Sequence, residues 1–435
     1  MKEIRFIDLF AGIGGIRKGF ELAAASLGYK TKCVYTSEIK PAALKVLRQN
    51  HPEDKIAGDI TKVKEKDIKD FDFLLAGFPC QAFSSAGKRQ GFLDTRGTLF
   101  FDVARILKAK KPFGFVLENV EGLVNHDMQP EYKNTGMGKT LNIILRTLNE
   151  LGYKVSWKVL DACHYGVPQR RKRIYIVGSL DSKPNLDGFA KTESKLKDIL
   201  EHGLETVDTP FVRKLLSLYP LNELPGKAIK DKRGGDNNIH SWDLELKGPI
   251  TQRQKDLLNQ IVTKRRSHSW ADEYGIDWMD GMPLTIQMIR TFSDYPKLED
   301  DLNDLVRKRY LKYEHPKKLI KNEKGASVRV YDESLPKGYN IVAGKKSFEI
   351  NCILDPEAVS PTLVAMDMDG LFVVDGPGIR PLSLREGLRL FGYPNDFRFD
   401  VSIDEGRDLL GNTVVVPVIQ LVSTALLNIY RGCKK

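Results

Sequence analysis

The sequence predicts an α/β protein built on a doubly wound, mostly parallel sheet, with a second module inserted after it. Two observations carry that expectation. Over the first 180 residues, short β-rich runs alternate with stretches whose apolar residues recur every three or four positions. A glycine-rich turn, Gly12, Gly14 and Gly15, falls between the first such run and the first such stretch, at the strand-to-helix junction where open α/β sheets bind ligands.

The elements follow in order. "IRFIDLF" reads as a strand and "IRKGFELAAASLGY" as its helix; "CVYTSEI" pairs with "PAALKVLRQN", "FDFLLAGF" with "GTLFFDVARILKAK", and "FGFVLENV" with "GKTLNIILRTLNELGY". In the last helix Leu141, Ile144, Leu145 and Leu148 share one face. Two further strands, "YKVSWKVLDA" and "KRIYIVGS", complete the series. From about Leu180 the alternation gives way to charged, Gly- and Pro-punctuated stretches such as "KDKRGGDNN" and "LPKGYN". A second module is therefore expected from there on. The apolar run "VVVPVIQLVSTALLNIY" has helical spacing, and residues 405–435 are expected to return to the first domain.

Composition narrows the function. A chain of 435 residues exceeds one compact core. The formal net charge of +11 suggests a polyanionic partner. Residues 1–180 carry about 30 Lys and Arg against about 19 acids, whereas residues 181–360 are almost balanced, so phosphate is expected mainly on the N-terminal part. The five cysteines, Cys33, Cys80, Cys163, Cys352 and Cys433, are scattered and lack CxxC spacing, which argues against disulfides and a metal cluster. No apolar run approaches the roughly 20 residues that cross a bilayer. A cytoplasmic protein without a metal or a membrane partner is expected, with monomer as the default.

Individual motifs point to chemistry. The turn is not GxGxxG, which disfavours a dinucleotide. Glu38 in "TSEI" and Asp59 in "GDI" fall at the ends of the second and third strands, where carboxylates can take ribose hydroxyls and an adenine amino group; alone, each could equally be a loop acid or a helix cap. Cys80 in "GFPCQAFSSAG" follows the strand "FDFLLA". A lone cysteine is by default a small buried residue; a nucleophilic one needs its pKa lowered, and Lys88, Arg89 and Arg96 are its basic neighbours. Glu118 and Asn119 close the next strand, where an acid among apolar residues suits proton donation or is merely structural. Arg171 and Arg173 alternate at the start of "RKRIYIVG", as a basic patch or a site.

Taken together, "FAGIGG", "PCQ", "ENV", "QRRKR" and "GNTVVVP" occur in the order and spacing of the cytosine-5 DNA methyltransferases, and the chain resembles bacterial members of restriction–modification systems. The likeness spans residues 4–180 and 380–430. It implies an S-adenosylmethionine-dependent methyltransferase fold with a large inserted target-recognition domain, S-adenosyl-L-methionine as cofactor, double-stranded DNA as partner, and a flipped cytosine as substrate. By the same match Cys80 would be the nucleophile. Glu118 would bind the ring N3 and exocyclic amine, Arg173 the cytosine O2, and Arg171 would support the glutamate or a phosphate. Phe10, Gly12 and Gly14 would border the methionine part of the cofactor, Glu38 the ribose and Asp59 the adenine. Ile39, Ile60, Pro79 and Leu99 would line the pocket, closed by Asn412 and Val414. "SPTLVA" at 360–365 and "RPLSLREGLRLFGYP" at 380–394 resemble segments inside and at the end of recognition domains, which implies a catalytic, cofactor-binding domain over residues 1–181 and target recognition over residues 182–404. Three rivals remain: a tRNA cytosine-5 methyltransferase, whose "CFT" tripeptide is absent here; a catalytically inactive DNA-binding paralogue, which would usually have lost "PCQ" or the glycines; and a small-molecule methyltransferase, disfavoured by the long middle module.

Overall fold

The computed structural model describes residues 3–79, 99–129, 136–276, 281–321, 327–343, 348–365 and 368–433. The chain divides into two compact units, the first formed by residues 1–201, 355–368 and 382–435, the second by residues 202–354 and 369–381.

In the first unit the predicted alternation is realised as β1 (Glu3–Leu9), α1 (Gly15–Ser26), β2 (Lys30–Ser37), α2 (Pro41–Asn50), β3 (Ile56–Ala57), β4 (Phe73–Gly77), α3 (Leu99–Lys110), β5 (Gly114–Val120), α4 (Lys139–Glu150), β6 (Lys154–Asp161) and β7 (Lys172–Ser179). They form one seven-stranded sheet in the order β3-β2-β1-β4-β5-β7-β6. Strands β1 to β5 are mutually parallel, and β7 runs antiparallel to both β5 and β6. Strand order reverses between β1 and β4, which opens a crevice at their C-terminal ends. The central strands are apolar along their length because helices cover both faces: Phe73 to Ala76 of β4 have no exposed surface. On one face Ile7, Leu74, Phe100, Leu117, Leu141, Ile144 and Leu148 share a single core.

The second unit contains α5 (Pro210–Leu218), β8 (Ala228–Ile229), β9 (Asn238–Ile239), α6 (Gln252–Lys264), α7 (His268–Glu273), α8 (Ile286–Arg290), α9 (Leu298–Arg307), β10 (Leu311–Glu314), β11 (Lys317–Lys321), β12 (Ser327–Tyr331), β13 (Gly338–Ile341), β14 (Cys352–Ile353), β15 (Leu371–Asp375) and β16 (Gly378–Pro381). A five-stranded sheet, β16-β15-β14-β8-β9, is accompanied by the ribbons β10-β13 and β11-β12. Helix starts are marked by side-chain caps: Thr209 accepts from the Val212 amide before α5, and Thr251 and Gln254 form a capping box on α6. Trp242, Leu258, Ile261, Leu302 and Tyr310 build one core of this unit; Val212, Leu215, Ile229 and Phe372 belong to another.

Three helices, α10 (Leu384–Leu390), α11 (Ile403–Asn412) and α12 (Val416–Cys433), complete the first unit. Capping boxes start two of them, Ser383 with Glu386 and Ser402 with Glu405. Helix α12 lies on α1, and closely: a Cβ added at Gly19 would stand 2.5 Å from Ile419 Cβ and 2.8 Å from the Val416 carbonyl oxygen. One expectation is corrected here. The stretch Ile403–Cys433 is long and apolar enough in composition to cross a bilayer. Its apolar residues are spent on packing: Val418, Ile419, Val422, Leu426 and Leu427 are fully buried.

Candidate active site

The site assembles at the C-terminal edge of the parallel strands, entirely within the first unit. After β1 the chain turns sharply: Phe10 (φ 55°), Gly12 (φ 55°) and Gly14 (φ 84°) occupy the left-handed region. For Phe10 that conformation is uncommon and is held by the surrounding structure. A Cβ built at Gly12 meets no atom within 4 Å, so the turn faces open space. Gly15 serves a different purpose. A Cβ there would be 2.5 Å from the Tyr393 hydroxyl and 2.8 Å from Val414 Cγ2, so its missing side chain lets the C-terminal segment pack behind the turn.

Glu38 follows β2 and is fixed by three backbone N–H groups. Gly12 N donates to Oε2 at 2.7 Å, and Ile39 N and Lys40 N each donate to Oε1 at 2.8 Å. The carboxylate thereby ties the glycine turn to the start of α2. Asp59, after β3, accepts the Thr61 amide (3.0 Å) and hydroxyl (2.7 Å) on Oδ1, and these bonds hold its carboxyl below the ordinary range. Its Oδ2 stands 3.9 Å from Lys62 Nζ.

Glu118 lies at the end of β5. Because β7 is antiparallel, its first residues reach the same edge: Arg173 pairs with Val120 and Tyr175 with Glu118. Arg173 is thus a diagonal neighbour of Glu118 on one face, and its Nε stands 3.2 Å from Oε1. Burial pushes the Glu118 pKa up, opposed by the charges of Arg173 and then Arg171; the net shift is upward.

These groups line one cavity of about 650 Å³. It is bordered by Phe10, Gly12, Glu38, Ile39, Asp59, Ile60, Pro79, Leu99, Glu118, Arg171, Arg173 and Asn412 among the residues singled out from sequence. Ile39 stands two-thirds exposed at its edge, whereas Ile60 is buried. Gly14 and Val414 are not among the lining residues; Gly14 is the N-cap of α1 and Val414 packs towards Gly15. Thr413, between Asn412 and Val414, lines the cavity instead. Cys80, with its neighbours Lys88, Arg89 and Arg96, lies outside the described residues.

Arg171 differs in character from Arg173. Its guanidinium donates to the carbonyls of Leu363 (2.9 Å), Gly411 (3.2 Å) and Thr413 (2.8 Å), and it lies 5.0 Å from the Phe391 ring centre. Gln169 acts alongside: its Nε2 donates to the Leu390 carbonyl (2.9 Å) and its Oε1 accepts from Leu363 N (3.2 Å). The start of "QRRKR" is therefore a clamp that gathers three distant segments beside the site. Two further positions were not assigned a role from sequence. Asn119 donates through Nδ2 to the Phe78 carbonyl (3.1 Å), tying the end of β5 to the loop after β4. Lys40 forms an ion pair with Asp408. "ENV" could have drawn attention to Asn119; nothing in the sequence relates Lys40 to Asp408.

A doubly wound sheet with one antiparallel strand, a glycine turn after β1, and carboxylates at the next two strand ends together define the S-adenosylmethionine-dependent methyltransferase fold. The solved structure of the S. pombe Dnmt2 methyltransferase shares it, with a TM-score of 0.53 at 16% identity over 98% of this chain and 99% of that one. A family model for C-5 cytosine-specific DNA methylase matches residues 4–428. Type II methyltransferase M.NlaIV of Neisseria lactamica is 61% identical over 98% of this chain and all of its own length, and Type II methyltransferase M.NgoBV of Neisseria gonorrhoeae 60% identical over the same shares. The chain belongs to the C-5 cytosine-specific DNA methylase family and is a DNA (cytosine-5-)-methyltransferase.

Proposed function

We propose that the chain methylates C5 of a cytosine flipped out of duplex DNA at a specific sequence, using S-adenosyl-L-methionine, as the modification half of a restriction–modification system that protects host DNA. The observation that carries this reading is the Glu118–Arg173 pair sharing one cavity with Gly12, Glu38 and Asp59. Full-length likeness to two Type II methyltransferases supports the modification role.

The residues present fit the cofactor. Gly12 offers a turn open to the cavity, Glu38 and Asp59 stand beside it as acceptors for ribose and adenine, and Phe10, Ile39, Ile60, Pro79 and Leu99 supply apolar walls. When bound, S-adenosyl-L-methionine supplies an electrophilic methyl group. Cytosine C5 is a weak nucleophile within the aromatic ring. Cys80 Sγ, as thiolate, forms a bond to C6 and pushes an electron pair towards C5. Glu118, whose burial favours its protonated form, gives its proton to N3 as charge develops there. Arg173 holds the O2 edge. A base removes the C5 proton of the methylated adduct, the released electron pair expels Cys80 as thiolate, and N3 returns its proton to Glu118, which restores the ring. Extruding the base costs a few kcal/mol. Residues 182–404, which include the whole second unit, carry target recognition in this reading.

Tritiated S-adenosyl-L-methionine incubated with the purified chain is expected to label duplex DNA as 5-methylcytosine and to leave tRNA unlabelled, with no transfer by Cys80→Ala. Label in tRNA alone, or transfer by Cys80→Ala, contradicts the proposal.

A further inference from the structure

Near-balance of charge over residues 181–360 conceals a separation in space. Acids gather on α9, with Glu299, Asp300 and Asp301 in its first turn and Asp304 following. Cations gather elsewhere in the second unit, around a concavity of about 240 Å³ lined by Lys232, Arg265, Lys312, Lys317 and Arg329. Glu314 is the single carboxylate among its described lining residues. That carboxylate is already engaged: it accepts from Asn340 Nδ2 (2.7 Å) and the Tyr331 hydroxyl (2.8 Å) and pairs with Lys312 Nζ (2.8 Å).

The β11-β12 ribbon extends this basic surface. In its register Lys317 opposes Tyr331, Leu319 opposes Arg329, and Lys321 opposes Ser327. Side chains alternate along a strand, so Lys317, Lys321 and Arg329 share one face with Leu319 and Tyr331. The other face carries Lys318, which pairs with Asp332 at 3.2 Å. Leu319 and Tyr331 are about half exposed, at 48% and 50%, and the Lys317 ammonium lies 4.9 Å from the Tyr331 ring centre. Cations set among an aromatic and an aliphatic side chain, on a two-stranded ribbon whose described residues carry no carboxylate on that face, match a polyanionic backbone.

We propose that this face of the second unit, centred on Lys317, Lys321 and Arg329, seats on the phosphodiester backbone of the duplex substrate and positions it, without reading its sequence. The proposal rests on the DNA methyltransferase reading and refines where the middle of the chain holds phosphate. Each phosphate contact releases counterions and steepens the fall of log K with log salt by about 0.9.

The test uses the full chain and two labelled duplexes, one bearing the methylated sequence and one unrelated, titrated between about 50 and 200 mM salt. The triple variant Lys317→Ala, Lys321→Ala, Arg329→Ala is expected to flatten the salt dependence by about 2.7 on both duplexes and to weaken both at least about tenfold, with radiolabelled cofactor binding unchanged. Lys318→Ala, on the opposite face, should keep the wild-type slope. An unaltered slope in the triple variant overturns the assignment, as does a loss confined to the cognate duplex, which would mean base reading. Should the triple variant fail to unfold cooperatively, Lys321→Ala alone decides by a change of about 0.9. A wild-type chain that binds neither duplex contradicts the methyltransferase reading itself; a binding wild type with an unaffected variant contradicts only this face.

Discussion

At the scale of single residues, burial raises the pKa of two carboxyls, Glu118 and Asp8. Burial raises the Glu118 pKa against the pull of Arg173 and Arg171, which favours the protonated form that a cytosine N3 would need. Replacement by Gln should lower the single-turnover rate at saturating cofactor by about 10²-fold or more, and the wild-type rate should fall as pH rises through the shifted pKa. An unchanged rate in Glu118→Gln would remove this group from the chemistry. Asp8, on β1, is fully buried, neither carboxyl oxygen has a hydrogen-bond partner, and desolvation raises its pKa from 3.8 to about 8 despite the opposing charge of Arg17. Between those values the folded chain binds a proton that the unfolded chain releases, so stability falls as pH rises across that window. Asp8→Asn should therefore gain in thermal stability over wild type progressively from pH 4 to pH 8. Parallel melting curves across that range would contradict the assignment.

Individual elements show why some positions could be read from sequence and others could not. The alternation of β1 through α4 was legible because strands buried on both faces appear as continuous apolar runs, and Glu38, Asp59 and Glu118 could be placed because strand ends follow from those runs. The direction of β7 does not follow from its own residues, yet it is what delivers Arg173 to Glu118. Arg171 reads locally as part of a basic patch; its partners Leu363 and Thr413 lie 192 and 242 residues away, a relation that no spacing records. Glycines separate in the same way. Gly12→Ala, at φ +55° with open space around it, should cost about 1–2 kcal/mol of stability and weaken cofactor binding. Gly19→Ala, against Ile419, should cost about 1–3 kcal/mol and leave cofactor affinity intact. Equilibrium cofactor binding and chemical denaturation of both variants check the contrast, and equal loss of affinity in the two would contradict it.

For the whole molecule, the sequence locates a change of character near Leu180 but not the path of the chain afterwards. Residues 355–368 and 382–404 belong to the first unit, held there by contacts such as Ser360 N to the Pro168 carbonyl and by the Gln169–Arg171 clamp. Exchange of residues 202–354 and 369–381 together for those of a relative with different specificity is expected to transfer the target sequence while keeping the chemistry; retention of the original target would place recognition elsewhere. The central claim, methylation of cytosine C5 in one duplex sequence, is tested most directly by bisulfite sequencing of plasmid DNA from a host expressing the chain. Protection of a cytosine at one fixed position in a single recurring sequence, abolished in Cys80→Ala, is the predicted result; complete conversion of every cytosine by an expressed, folded wild-type chain would contradict it.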